Sequence, residues 1–278
     1  METNLNTPIQ HDTHKVKAPI KTSSHTTSSS LPVAMNCLSK GYEGWDASVL
    51  EIGMDEVGRG PLFGRVYAAA VVLPKDDSFE HAWMKDSKKF HSKKKIQEVA
   101  EYIQEHALYW AVEYEDERKI DEINILQATQ QAMHKCVDTV LKKMSKNEEK
   151  NPAKLLVDGN YFKPYPMWTK PKIATVMEQS GIHGAIYSQR ENKLEYMDFV
   201  CVEGGDNKYS SIAAASIIAK VARDKYIEEL CQEHPDLIEK YSLDSNKGYG
   251  AKKHLDGIKQ HGITVWHRRS FGICKDYV

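Results

Sequence analysis

The sequence predicts an α/β domain in which helices flank a mixed central sheet. Three observations support this fold class. Short apolar runs alternate with segments of helical periodicity along most of the chain. The chain has 278 residues, of which 41% are apolar, and this is enough for one sizeable core. Finally, one helical segment carries a stripe of alanines, which favours close packing against a sheet.

The N-terminal segment has a different composition from the rest of the chain. Residues 1–36 are rich in Ser, Thr, His, Lys and Pro and contain few large apolar side chains. Such a segment cannot bury enough apolar surface to offset the entropy lost on ordering. We therefore expect residues 1–40 to form a disordered leader and residues 41–278 to form the folded domain.

Four strands and two helices are predicted in the first part of the domain. The strands are short and apolar, and the first two are expected to pair antiparallel. Ser92 precedes the first helix as a cap, and Asn124 with Gln127 resembles a capping box that starts the second helix. The predicted strands are VLEIGMD (49–55), GRVYAAAVVLP (64–74), ALYWAVEYE (107–115) and AKLLVDG (153–159).

The strongest helical pattern in the chain covers residues 208–232. A final helix is predicted near residues 252–261. The apolar positions of the long helix recur at spacings of three and four: Ile212, Ala215, Ala219, Ala222, Tyr226 and Leu230.

Four acidic residues stand where a predicted strand ends or a helix begins. Asp55 and Glu56 end the first strand, Asp158 ends the strand LLVD, and Asp206 precedes the long helix. Because apolar strands deliver the residues at their ends to one edge of a sheet, these carboxylates can converge there. Like charges packed together are costly unless a cation lies among them.

Such a cluster of carboxylates predicts a site for Mg²⁺ or Mn²⁺, which prefer hard oxygen ligands. Two such ions about 3.5–4 Å apart are the usual device for cleaving a phosphodiester. Each acid alone has a simpler explanation: Asp158 before Gly159 is typical of a turn, and Asp206 of a helix cap. The pair Asp55 and Glu56 is harder to explain in that way, because adjacent strand residues point to opposite faces.

Charge and cysteine content narrow the classes of function. The formal net charge is −1, but residues 85–95 and 240–278 each carry a local net charge of +5. The five cysteines lack a C-x-x-C motif, which argues against a disulfide framework or a zinc site. No apolar run approaches the ~20 residues of a membrane span. We expect a monomer in a reducing compartment, the cytoplasm in the simplest case, with the nucleus or an organelle left open.

Several blocks of the sequence, in order, resemble the ribonuclease HII family, the type 2 ribonucleases H. The resemblance covers roughly residues 42–273, and five ordered later blocks make it specific. The opening block is GMDEVGRGPLFGRVYAAAVVLP (53–74), and the later blocks are DSKKF (86–90), LLVDGN (155–160), GGDNKYSSIAAASIIAKVARDKY (204–226), NKGYGAKKHLDGIKQHG (246–262) and HRRSF (267–271).

The resemblance implies a ribonuclease H-like fold and an endonuclease linked to DNA replication and repair. The implied substrates are RNA paired with DNA and ribonucleotides embedded in duplex DNA, nicked on their 5′ side to leave 5′-phosphate and 3′-hydroxyl ends. In the family the catalytic acids are an Asp-Glu pair, the Asp of a D-G turn and the Asp of a G-D segment before an Ala-rich helix. The matching positions here are Asp55, Glu56, Asp158 and Asp206.

The same resemblance implies a set of substrate contacts. Gly58, Arg59 and Gly60 form a glycine-flanked loop that lets the backbone approach a nucleic acid, where its amides can read a ribose 2′-hydroxyl. Tyr249 would lie at the RNA–DNA junction. For the remaining candidates, an exposed charge without a specific partner is the alternative: Lys88, Lys89, Lys220, Arg223, Lys247, His267 and Arg268.

The sequence departs from the family pattern between Asp158 and Asp206, which lie 48 residues apart. The excess, at about residues 168–199, could be an added hairpin, with Asp198 as a rival fourth carboxylate. Two other functions stay open at this point. One is a different nuclease of the ribonuclease H-like fold, of the resolvase or exonuclease type, and the other is a non-catalytic module that binds hybrids.

Overall fold

The computed structural model describes residues 37–169 and 193–278. Residues 1–36 of the predicted leader (1–40) lie outside these ranges. Residues 37–40 are described, and the backbone of Ser39 forms hydrogen bonds with Lys208 and Ser210, so ordered structure begins before the predicted boundary at residue 41. Residues 170–192, which make up most of the hairpin predicted at about residues 168–199, lie outside the described ranges as well. Among the described residues, no helix combines the length and the apolar character that a membrane span needs.

A five-stranded mixed sheet forms the centre of the domain, as the fold class predicts. Its strands are β1 (Leu50–Val57), β2 (Val66–Val72), β3 (Tyr109–Glu115), β4 (Ala153–Asp158) and β7 (Phe199–Val202). They lie in the order β3-β2-β1-β4-β7. β2 is antiparallel to β1 and β3, whereas β4 is parallel to both β1 and β7. A separate pair, β5 (Pro166–Thr169) and β6 (Lys193–Tyr196), is antiparallel.

Six α-helices are described: α1 (Lys93–His106), α2 (Glu117–Lys146), α3 (Ser210–Glu233), α4 (Asp236–Tyr241), α5 (Leu243–Asn246) and α6 (Lys252–His261). The predicted cap of α1 is confirmed, since the N–H of Lys95 donates to Oγ of Ser92. The predicted cap at Asn124 is confirmed too, because its Oδ1 accepts from the N–H of Gln127 at 3.1 Å and its non-helical φ of 67° precedes a new helical segment. The sequence did not predict the first part of α2, which begins at Glu117 and is kinked at Asn124.

Helices cover both faces of the sheet. α2 packs on one face, and α1 with α3 packs on the other. Four of the five alanines of α3 are buried and allow a close approach to β1, whereas Ala222 is half-buried. At Gly53 a Cβ would lie only 2.3 Å from the carbonyl carbon of Ser211, so glycine is required there.

The parallel strands β1, β4 and β7 all end at the same edge of the sheet. Asp55 and Glu56 lie near the end of β1, and Asp158 is the last residue of β4. The loop after β7 leads into α3 at this edge. The topology therefore brings the predicted acids together at one edge of the sheet.

Candidate active site

Buried carboxylates line the edge where the parallel strands end. Asp55 is 6% exposed, and so is Asp206, which lies in a short 3-10 helix (Gly205–Asn207) between β7 and α3. Oδ1 of Asp158 accepts a hydrogen bond of 2.6 Å from the N–H of Gly205. This bond joins the end of β4 to the loop that carries Asp206.

The carboxylates are close enough to perturb one another electrostatically. Burial raises the pKa of Asp55 well above its usual value, and the charges of Glu56 and Asp158 raise it further. Burial also raises the pKa of Glu56, although Arg59 partly opposes the increase. The site therefore concentrates negative charge that a cation would relieve.

The fourth acid has a neighbour that the sequence analysis did not identify as part of the site. Burial raises the pKa of Asp206, followed by the charges of Asp86 and Asp158. Nδ2 of Asn207 lies 2.9 Å from Asp206 Oδ1 and 3.5 Å from Asp86 Oδ2. The sequence offers one indication of this role: Asp86 is the single acid in the DSKKF block, whose other charged residues are lysines.

The donor set suits a hard divalent cation. All four predicted residues offer carboxylate oxygens, the ligands preferred by Mg²⁺ and Mn²⁺. Within residues 37–169 and 193–278, no three His, Cys, Asp or Glu side chains are grouped so as to hold one metal ion between them. A closed cage is not needed for Mg²⁺, which usually takes one or two carboxylates and completes its shell with water and substrate phosphate.

The glycine-flanked loop lies directly beside these acids. Nη1 of Arg59 is 3.4 Å from Oε1 of Glu56, and the arginine side chain is half exposed. Gly58 has φ of 89°, and a Cβ there would lie 2.4 Å from Nε of Arg223. The first glycine is therefore required both by its backbone conformation and by the arginine packed behind it.

Tyr249 lies next to this loop. Its side chain is 48% exposed, and a Cβ on Gly60 would lie 3.7 Å from its Cε1. The N–H of Leu62 donates to the carbonyl of Gly248 over 2.8 Å, which joins the two loops directly. An exposed aromatic ring thus stands beside exposed backbone at the edge that carries the acids.

Three of the predicted substrate-binding residues are buried. Their burial does not fit the direct contact with nucleic acid that was predicted for them. Arg223 donates to the carbonyls of Phe63, Arg65 and Lys247. Arg268 is fully buried and also donates to backbone carbonyls. The ring of His267 is enclosed as well, between the N–H of Thr264 and the ring of His254. Their donors and acceptors face the protein interior.

The four lysines predicted to contact the substrate differ in whether their side chains are free to bind a phosphate. Lys88 is exposed, and its charge lowers the pKa of Asp206, which places it near the acids. Lys89 is exposed and donates to Asn207. Lys220 is paired with Asp224, and Lys247 with Glu228 at 3.0 Å, so both would have to exchange a carboxylate for a phosphate.

The rival acid in the insertion lies elsewhere. Asp198 directly precedes β7, at the opposite end of that strand from the site, and it pairs with Lys154 at 3.1 Å. Its side chain is largely exposed. The structure therefore gives no support to Asp198 as a fourth carboxylate.

Comparisons with known proteins agree on one family. The sequence profile of the family Ribonuclease HII matches residues 52–274. The chain is 39% identical to the ribonuclease HII of Bacteroides thetaiotaomicron over 228 residues, covering 82% of this chain and 92% of the relative.

Solved structures show a similar fold. Ribonuclease H2 of Pyrococcus horikoshii OT3 aligns with a TM-score of 0.55 at 21% identity, covering 82% of this chain and 96% of that one. Bst-RNase HIII in complex with Mn²⁺ aligns with a TM-score of 0.53 at 21% identity, covering 83% and 69% of the two chains. At this level of identity, these two comparisons support the architecture alone.

Proposed function

The chain belongs to the ribonuclease HII family of metal-dependent endoribonucleases, and from that premise we propose that it nicks duplex DNA on the 5′ side of an embedded ribonucleotide. It also hydrolyses the RNA strand of RNA–DNA hybrids. The products carry 5′-phosphate and 3′-hydroxyl ends. The single observation that carries this proposal is the group of carboxylates that perturb one another beside Tyr249 and a Gly-Arg-Gly loop in which Arg59 and Gly60 are exposed.

We further propose that Asp55, Glu56, Asp158 and Asp206 hold two divalent ions, Mg²⁺ or Mn²⁺. Such ions, when bound, activate the attacking water and stabilise the leaving oxygen of a phosphodiester. The raised pKa values of three of these carboxylates support the assignment, because burial and neighbouring negative charge disfavour their ionised forms and a bound cation would oppose both effects. A structure with the same fold, Bst-RNase HIII, was solved with Mn²⁺.

The residues of the chain itself supply the positioning. Gly205 fixes the orientation of Asp158 through its N–H, and Asn207 does the same for Asp206. Arg59 balances part of the charge of Glu56 and is exposed enough to reach a phosphate. Lys88, near Asp206, and Lys89, which donates to Asn207, add sequence-independent affinity for the phosphate backbone.

Recognition of the ribose would rest on the loop and the tyrosine. The amides of the Gly-Arg-Gly loop can donate to a 2′-hydroxyl, which is the group that separates RNA from DNA at one position. The ring of Tyr249 offers a flat apolar surface for the neighbouring sugar. Neither element reads a base edge, so we expect little dependence on sequence.

Mapping of the cleavage site tests the proposal. A DNA duplex with one ribonucleotide, an RNA–DNA hybrid, an all-DNA duplex and a four-way DNA junction would be incubated with the protein and Mg²⁺ or Mn²⁺. We expect one nick, 5′ to the single ribonucleotide, and cleavage along the hybrid. Cutting of the junction or of all-DNA duplexes would instead indicate a resolvase or exonuclease, and binding without turnover would indicate a non-catalytic module.

A further inference from the structure

A buried arginine organises the glycine-flanked loop from behind. Arg268 donates from Nε to the carbonyl of Gly64 at 2.8 Å and from Nη2 to the carbonyl of Gly58 at 2.6 Å. Its Nη1 donates to the carbonyls of Arg59 at 3.0 Å and Pro61 at 2.8 Å. One planar guanidinium therefore collects four carbonyl oxygens of a single loop.

The direction of these carbonyls fixes the direction of the amides that follow them. In a trans peptide, the C=O of one residue and the N–H of the next point in opposite directions. With the carbonyls of Gly58 and Arg59 turned towards Arg268, the N–H groups of Arg59 and Gly60 point away from it. Neither N–H has an acceptor in the part of the chain that the structure describes.

A second buried guanidinium extends this arrangement to the tyrosine loop. Arg223 donates from Nη2 to the carbonyl of Lys247 at 2.9 Å, two residues before Tyr249. The described hydrogen bonds of Arg223 and Arg268 go to carbonyl oxygens only. Burial, and then the charge of Arg223, lower the pKa of Arg268 to about 9, so that it stays protonated at neutral pH.

We propose that Arg268 is a positioning residue for ribonucleotide recognition: by drawing four loop carbonyls inward, it presents the N–H groups of Arg59 and Gly60 to the ribose. This inference rests on the proposed function. Arg268 itself does not touch the nucleic acid. Its buried positive charge also polarises the loop peptides, which strengthens their N–H groups as donors.

The test compares binding rather than turnover, in an Asp158→Asn background that is expected not to cleave. Affinity is measured by fluorescence anisotropy for a DNA duplex with one ribonucleotide and for the same duplex without it. Arg268→Lys keeps the charge, but an ammonium cannot reproduce the planar fork. We expect the preference for the ribonucleotide to fall about tenfold, the scale of one or two hydrogen bonds, with little change for all-DNA duplex.

Two further variants separate positioning from folding. Arg269→Lys makes the same chemical change at an exposed neighbour and should leave the preference intact. Arg268→Ala, provided that thermal melting shows it to be folded, should regain the preference for the ribonucleotide when millimolar guanidinium chloride is added.

The outcomes are distinguishable. If the parent binds both duplexes equally and the wild-type enzyme does not nick the ribonucleotide, the proposed function fails and this inference falls with it. If the parent prefers the ribonucleotide and Arg268→Lys prefers it equally, only the positioning role is overturned. A parallel loss of affinity for both duplexes in Arg268→Lys would also overturn that role, because it indicates a general structural effect.

Discussion

The carboxylate of Asp158 accepts a 2.6 Å hydrogen bond from the N–H of Gly205, the residue directly before Asp206. Although 48 residues separate the two acids in the chain, this bond keeps the end of β4 and the start of the α3 region in a fixed relation. The segment between them can therefore vary without displacing the third acid from the fourth. Because asparagine can accept the same bond, Asp158→Asn removes the negative charge without removing this contact.

Asp158→Asn should abolish cleavage while preserving the fold. The amide oxygen of asparagine can still accept from Gly205, but the negative charge that a divalent ion needs is lost. We expect the initial rate on an RNA–DNA hybrid in Mg²⁺ to fall on the order of 100-fold or more. Asp198→Asn, at the far end of β7, is the matched control and should retain the wild-type rate. Full activity of Asp158→Asn would refute the metal-site assignment.

Asp55→Asn should stabilise the metal-free protein at neutral pH. The folded-state pKa of Asp55 is raised, so its ionisation opposes folding above that pKa, and the penalty disappears below the unfolded value of 3.8. Asparagine removes the penalty. A gain of about 1 kcal/mol would raise Tm by roughly 2–4 °C in a domain of this size.

The pH dependence and the response to Mg²⁺ serve as internal controls for this stability prediction. The gain in Tm should be present at pH 8 and shrink as the pH falls through the folded pKa towards 4. Added Mg²⁺ should stabilise the wild type more than the variant, because binding to the folded state adds stability. A variant that is less stable than the wild type at pH 8 without metal would contradict the unfavourable coupling of the carboxylates.

The acids could be located from the sequence because their signal is local. A short apolar strand followed by an acid is visible in six or seven letters, and β1 and β4 coincide closely with the predicted strands. β7 was missed as part of the sheet, because it has only four residues and all of them are half-buried. No alternation of exposed and buried positions marks so short a strand.

The roles of Arg223, His267 and Arg268 could not be derived in the same way. A basic residue in a block that resembles a nucleic-acid enzyme predicts a phosphate contact. Whether the side chain turns outward or inward depends on carbonyls more than 150 residues away in the chain, as for Arg223, which bonds to Phe63 and Arg65. Burial of that kind is a tertiary property with no local pattern.

Removal of the leader should be tolerated only up to a defined residue. The N–H of Ser39 donates to the carbonyl of Lys208 at 2.8 Å, and the carbonyl of Ser39 accepts from the N–H of Ser210, the first residue of α3, at 2.9 Å. We expect deletion of residues 1–36 to leave cleavage and Tm unchanged. Deletion of residues 1–40 leaves the buried N–H of Ser210 without its acceptor, which costs about 1–3 kcal/mol.

Thermal melting and hybrid cleavage of the two truncated proteins check this prediction. The longer deletion should lower Tm by several degrees and reduce cleavage, because α3 begins at Ser210, only four residues after Asp206. Equal Tm values for both deletions would show that Ser39 does not cap α3. A large loss of activity in the shorter deletion would show that residues 1–36 contribute to substrate binding or to the fold.

The two glycines of the loop should respond differently to the same substitution. In Gly58→Ala the new Cβ would meet Nε of Arg223 at 2.4 Å, at a backbone φ of 89°, so both sterics and conformation oppose it. In Gly60→Ala the nearest atom is Cε1 of Tyr249 at 3.7 Å, an ordinary contact. We therefore expect Gly58→Ala to lower Tm by several degrees and Gly60→Ala to leave it within about one degree of the wild type.

Gly60→Ala should lower activity without lowering stability. The added methyl group would stand between the exposed N–H of the loop and Tyr249, where the ribose is proposed to bind. We expect kcat/KM for a duplex with one ribonucleotide to fall about tenfold or more, since access to at least one hydrogen bond is blocked. A stable Gly60→Ala protein that nicks at the single ribonucleotide at the wild-type rate would mean that the ribose binds elsewhere. A sugar packed against Gly60 would clash with the added methyl group and bind less well.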